Sequence, residues 1–149
     1  MLVTRAHVLA IQDNEVEAAL LQDVWGQDSE ISLAAVASGT LALTALVTTD
    51  HPLPNLILLA GRFPISQMAT LDVLVALKAD PQLRCIPVVV IAGVESAKTI
   101  QLFYDHHAAA VIVFPPTREE LKFTLAVRKT FWLSVARLPS ETNVFYQKW

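Results

Sequence analysis

The chain has 149 residues, 54% of them apolar and only 17% charged, with a formal net charge of −3. This length suits one domain with a substantial core, and the charged fraction falls well below the usual quarter or so. A single cysteine, Cys85, excludes a disulfide framework, and the absence of a Lys/Arg run or a Gly-aromatic strand motif argues against nucleic acid as a partner.

In chain order, His7–Ile11 reads as a strand and Glu15–Trp25 as a helix, with Asp13-Asn14 able to cap its start and Gly26 its end. Ile31–Val36 reads as a second strand and Thr40–Thr48 as a second helix. The whole stretch from Ile31 to Thr49 lacks charge, but it holds Ser32, Ser38, Gly39 and Thr40. It is therefore too polar for a membrane span and breaks naturally into strand and helix. Leu56–Ala60 is the third strand, and Gln67–Ala79 the third helix, capped by Ser66 and closed by Asp80-Pro81. Pro87–Ala92, a helix over Glu95–His106, the strand Ala110–Val113 and a last helix from Thr117 to about Arg137 complete the pattern. Thr117 with Glu120 forms a capping box for that last helix. The apolar run at His7–Ile11 is too short for a signal peptide, so a cytoplasmic protein without membrane contact is expected.

Three of the strands (HVLAI, LILLA and PVVVIA) are continuously apolar, as strands buried on both faces must be. Five strands alternating with five helices specify an open, mostly parallel α/β sandwich. In such a sheet ligands and chemistry sit beyond the carboxyl ends of the strands. The positions that matter are then Gln12–Asn14, Ala60–Arg62, Ala92–Gly93 and Phe114-Pro115.

The segments HVLAIQDNEVEAALLQDVW, LPNLILLAGRFP, LDVLVALKADPQLRCIPVVVIAG and AVIVFPPTREELKFTLAVRKTFWLSVARLP resemble the receiver domains of bacterial two-component response regulators. The resemblance implies a flavodoxin-like (β/α)5 receiver, a five-stranded parallel sheet with helices on both faces. It assigns residues 1–138 to a receiver-like domain and 139–149 to a C-terminal extension. ADPQLRCIPVVV and FWLSVARLP look most like stand-alone regulators that partner bacterial phytochrome kinases. The resemblance also implies a cis bond between Phe114 and Pro115.

Receivers carry a phosphorylated aspartate at the end of the third strand and an acid pair after the first that helps hold Mg²⁺. A hydroxyl after the fourth strand and a lysine after the fifth stabilise the phosphoryl group. Carried onto this chain, the acid pair is Gln12-Asp13, the nucleophile position is Ala60, the hydroxyl position is Ala92 and the lysine position is Phe114. The aromatic position three residues before Phe114 is Val111. Only Asp13 survives, and no Asp or Glu lies between Leu56 and Thr70 to stand in for the nucleophile. The site reads as degenerate, with no metal and no cofactor expected, and the chain as no enzyme. A lone lysine left behind would be a costly buried cation, whereas replacing both partners with apolar groups can be nearly neutral. Phe114 would then close the old pocket, and Asp13 would serve as a helix cap.

Among other candidates, His106-His107 follow Asp105 at a helix end. Adjacent helix residues diverge and no third ligand is in view, so a histidine placed against the helix C-terminus is the simpler reading. Cys85, beside an apolar run, reads as packing filler.

The last helix carries two apolar stripes. Leu121, Leu125, Trp132 and Val135 can face the core, while Phe123, Val127, Phe131 and Leu138 form a spare face suited to a homodimer; the tail Ser140–Trp149 folding back over that face is the alternative. Too few residues follow for a DNA-binding effector domain, so output by contact is expected: a phosphorylation-independent interaction module that dimerises or engages a sensor histidine kinase or another response regulator. A small-ligand sensor using the modified strand-end crevice is the alternative, favoured by an open polar pocket around Asp13 and Arg62 and disfavoured by one filled with Phe114.

Overall fold

The computed structural model describes residues 6–12, 15–26, 31–47, 53–60, 70–92 and 97–113, together with residue 119. Nine elements alternate along it: β1 (Ala6–Ile11), α1 (Glu15–Val24), β2 (Ile31–Val36), α2 (Gly39–Val47), β3 (Leu56–Ala60), α3 (Thr70–Ala79), β4 (Val88–Ala92), α4 (Ala97–Asp105) and β5 (Ala110–Val113). The five strands form one parallel sheet in the order β2-β1-β3-β4-β5. The parallel sheet is the one expected from the alternation of apolar runs, and its strand order is the flavodoxin-like one that the resemblance implies.

The continuously apolar strands do bury both faces. Leu9, Ile11, Ile57, Leu59, Val88 and Val90 point into one core with α2, α3 and α4. Their neighbours Val8, Ala10, Leu56, Leu58, Val89 and Ile91 point into the other, where Leu21 of α1 and Trp25 pack. Trp25, 1% exposed, lies just past the end of α1 and fills that second layer. In α3 the buried residues Thr70, Val73, Leu74 and Leu77 follow the spacing of one helical stripe.

The uncharged stretch from Ile31 divides into strand and helix. Ser38 caps α2: its Oγ accepts the N–H of Leu41 at 3.2 Å and its carbonyl the N–H of Ala42 at 3.1 Å. This hydroxyl satisfies a first-turn donor that would otherwise lack a partner, so the helix starts one residue earlier than the sequence pattern indicates. Among the described residues no helix is long and apolar enough to cross a membrane.

Two polar brackets hold the end of the sheet opposite the strand carboxyl ends. Asn55, buried just before β3, donates its N–H to the His7 carbonyl at 2.7 Å and accepts the His7 N–H on Oδ1 at 2.9 Å. Between α3 and β4 the carbonyl of Asp80 accepts the N–H groups of Leu83 and Arg84, and its Oδ1 accepts that of Gln82 at 2.8 Å. Lys78 closes the same loop by donating Nζ to the carbonyls of Arg84 at 3.0 Å and Ile86 at 2.7 Å. Burial holds the Lys78 ammonium below the usual lysine pKa, with nearby Cys85 acting in the opposite direction.

Cys85 itself is exposed, which corrects its reading as packing filler. Residues 81–86 form turns rather than an extension of β4, so the loop buries Leu83 and Ile86 and leaves Cys85 outside. Gly26 also differs in mechanism from a left-handed helix cap. No described glycine has positive φ. Its N–H instead bonds the Gln22 carbonyl at 3.0 Å, and a Cβ there would stand 2.8 Å from that oxygen. Close approach, not a left-handed turn, is what requires glycine.

Candidate functional site

The register aligns four strand ends along one rim of the sheet. Ile11 is level with Leu59, Ala60 with Ile91, and Ala92 with Val113. Gln12 follows β1 directly and lies one step beyond Ile11, level with Ala60. The sheet's direction of growth reverses around β1 and β3, since β2 was added on one side and β4 and β5 on the other. The rim between Gln12 and Ala60 is therefore the topological switch point, where such sheets place their ligands.

Gln12 is half-buried, and its backbone N–H donates to the Val36 carbonyl at 2.9 Å, which pins the start of the β1–α1 connection to the edge strand. Ala60 is the last residue of β3 and Ala92 the last of β4. The fold thus brings Gln12, Ala60 and Ala92 to neighbouring strand ends, as the alternation of elements requires. Asp13, Arg62 and Phe114 lie outside the described residues, as do Ser66, the Phe114-Pro115 bond and the last-helix positions Phe123, Val127, Phe131 and Leu138. Among the described residues no group of three or more His, Cys, Asp or Glu side chains converges as a metal site.

At the opposite end of α4, His106 and His107 have separate structural duties. His106 places Nδ1 2.9 Å from the Leu102 carbonyl in the last helical turn. His107 adopts φ 74°, donates its N–H to the Tyr104 carbonyl at 3.0 Å, and is followed by Ala108, whose N–H reaches back to Phe103 at 3.0 Å. Those two backbone bonds with a left-handed residue between helix and strand are a Schellman closure, and buried Phe103 and Ala108 supply its apolar contact. Asp105 accepts a bond from Gln101 Nε2 at 2.8 Å, one turn earlier on the same helix. The three residues terminate a helix.

No family model matches the chain. In sequence it is 29% identical over 138 residues to a probable methanogenesis regulatory protein, FilR2, of Methanothrix harundinacea, spanning 89% of this chain and 86% of that protein. It is 25% identical to the response regulator Rcp1 of Synechocystis sp., spanning 89% and 92%. The crystal structure of Rcp1 in its Mn²⁺-bound form superposes with a TM-score of 0.84 over 91% of this chain and 99% of that one. The phosphorylated cyanobacterial phytochrome response regulator RcpA superposes with a TM-score of 0.86 at 27% identity, over 92% and 100%. The chain is similar in sequence and structure to response-regulator receiver domains, the receiver components of two-component signalling, and a phytochrome response regulator is among the similar proteins.

Proposed function

We propose that this chain is a pseudo-receiver: a phosphorylation-independent protein-interaction module in, or derived from, two-component signalling. The observation that carries the reading is Ala60 as the last residue of β3 at the switch point. A methyl group has no atom that can attack phosphorus, and phosphoryl transfer to a receiver needs a carboxylate there.

The surrounding residue types support the same reading. An amide at Gln12 and a methyl at Ala60 leave Asp13 as the single carboxylate of the family's metal-binding set. With two of the family's three carboxylates gone, and with them the phosphoryl oxygens that Ala60 cannot carry, the set keeps little of the anionic oxygen on which Mg²⁺ coordination draws. Ala92 supplies no hydroxyl and Phe114 no cation. The residues present do not fit the metal, so no catalytic step is assigned to the chain. Contact is what remains, through a homodimer built on Phe123, Val127, Phe131 and Leu138 of the last helix, or with a sensor histidine kinase or another regulator. Cytoplasm is the compartment in which those partners signal.

The test is incubation with acetyl phosphate and Mg²⁺ followed by intact-mass measurement. We expect no added phosphate. A stoichiometric phosphoprotein, labelled on any Asp or Glu, would overturn the proposal.

A further inference from the structure

Each outer strand of the sheet turns one set of backbone groups away from its neighbour, and the molecule treats its two edges differently. In β5 the register with β4 turns Ala110 and Ile112 inward and Val111 outward. The outward N–H of Val111 is taken by Tyr104 Oη at 3.1 Å. In β2 the bond from Gln12 to the Val36 carbonyl fixes the phase, so Ser32, Ala34 and Val36 face β1. Ile31, Leu33 and Ala35 therefore turn their N–H and C=O groups outward, and no described residue bonds them.

Proteins ordinarily protect such an edge with a lysine, a proline, a bulge or a covering element. The β2 sequence, ISLAAV, has neither charge nor proline, and it pairs with β1 over all six residues without a bulge. The charge-free surface continues beyond it. Ala34 and Ala35 are exposed, and α2 presents Leu41 at 57% and Val47 at 65% exposure.

We infer that the outer edge of β2 pairs antiparallel with the β2 of a second copy, about a two-fold axis at Leu33. In that register Leu33 faces its own counterpart and Ile31 faces Ala35. All three outward residues then exchange both backbone bonds with the opposing strand. A second copy fits because the segment matches itself in length and phase and buries no charge, and because a two-fold pairing closes without leaving a further open edge. This interface is separate from the last-helix homodimer, and with both in place the assembly exceeds a dimer.

The experiment is light scattering of the full chain at micromolar concentration, with amide exchange followed across a dilution series. Ala35→Pro removes an outward donor at an exposed position without touching the ladder to β1. Ala34→Lys places a charge on the same edge and serves if the proline variant fails to fold. Either variant is expected to halve the assembled mass, and the Leu33 and Ala35 amides of the wild type are expected to lose protection on dilution. Mass unchanged by a folded variant would overturn the inference. So would protection that ignores concentration, because the chain's own segments would then cover the edge. Phe131→Glu keeps the two interfaces apart: mass lost there alone sinks the β2 pairing and spares the helix, and the reverse result does the opposite.

Discussion

Tyr104 on α4 holds its phenol oxygen 3.1 Å from the outward N–H of Val111 on β5, although its ring is 45% exposed. The side chain substitutes for the missing neighbour of an edge strand at one position. Tyr104→Phe keeps the ring and returns that N–H to water. A neutral hydrogen bond of this kind contributes about 0.5–1.5 kcal/mol. The variant should unfold at slightly lower urea, and the Val111 amide should exchange faster than its neighbours Ala110 and Ile112. Unchanged Val111 exchange would show that the bond does not persist in solution.

His107 sits at φ 74° in the closure of α4, where glycine is the ordinary occupant. A side chain in that conformation is strained, though histidine tolerates it better than most residues. His107→Gly should therefore stabilise the protein by about 0.5–1 kcal/mol after the entropy cost of glycine is deducted. Thermal unfolding checks the sign, and a lower Tm would mean the imidazole makes a compensating contact.

Lys78 donates to two loop carbonyls, yet burial lowers its pKa below the usual lysine value. A group that binds its proton less well folded than unfolded makes stability rise with pH, between its folded pKa and the ordinary lysine value. The penalty is fully present below that window and relieved above it. Lys78→Met removes this slope, so the variant should lose more stability relative to wild type at about pH 10 than at about pH 8. A difference in urea midpoint that stays flat over that interval would contradict the assignment.

Ala60→Asp should not restore phosphorylation. The new carboxylate would lie at the switch point level with Gln12, and the chain carries Phe114 where the family's pattern has the balancing lysine, so its pKa should rise and stability should fall. Function should require Gln12→Glu, Ala92→Thr and Phe114→Lys in addition. Phosphate uptake by Ala60→Asp alone at an ordinary receiver rate would show that the remaining groups are dispensable.

Much of the fold is written in residues that can be read locally. The apolar runs VLAI, LILLA and VVVIA are strands because nothing in them favours water on either face, and their ends put Gln12, Ala60 and Ala92 at the rim. What stayed hidden depends on groups meeting across the chain. Asn55 and His7 are separated by 48 positions, and neither residue type announces a partner. Lys78 resembles any helix-terminal lysine until the loop after Asp80 folds back beneath it. Cys85 reads as packing filler beside apolar residues, but those neighbours belong to turns, where the alternation of a strand does not apply. Tyr104 and Val111 meet only because β5 lies at the edge, and strand order is not a local property.

The double burial of β1, β3 and β4 also bears on how the chain finds its alignment. In a half-exposed strand, a slip of one residue drives apolar groups into water and is rejected at once. Here such a slip exchanges one greasy surface for another, for instance Leu58 for Leu59, so hydrophobicity alone discriminates poorly among alignments. The reciprocal bonds between Asn55 and His7 supply the missing reference mark, because only one offset lets the side-chain oxygen and the main chain both engage. That amide acts as an index pin for the central strands, and a chain without it would have to sort near-equivalent registers by packing fit alone.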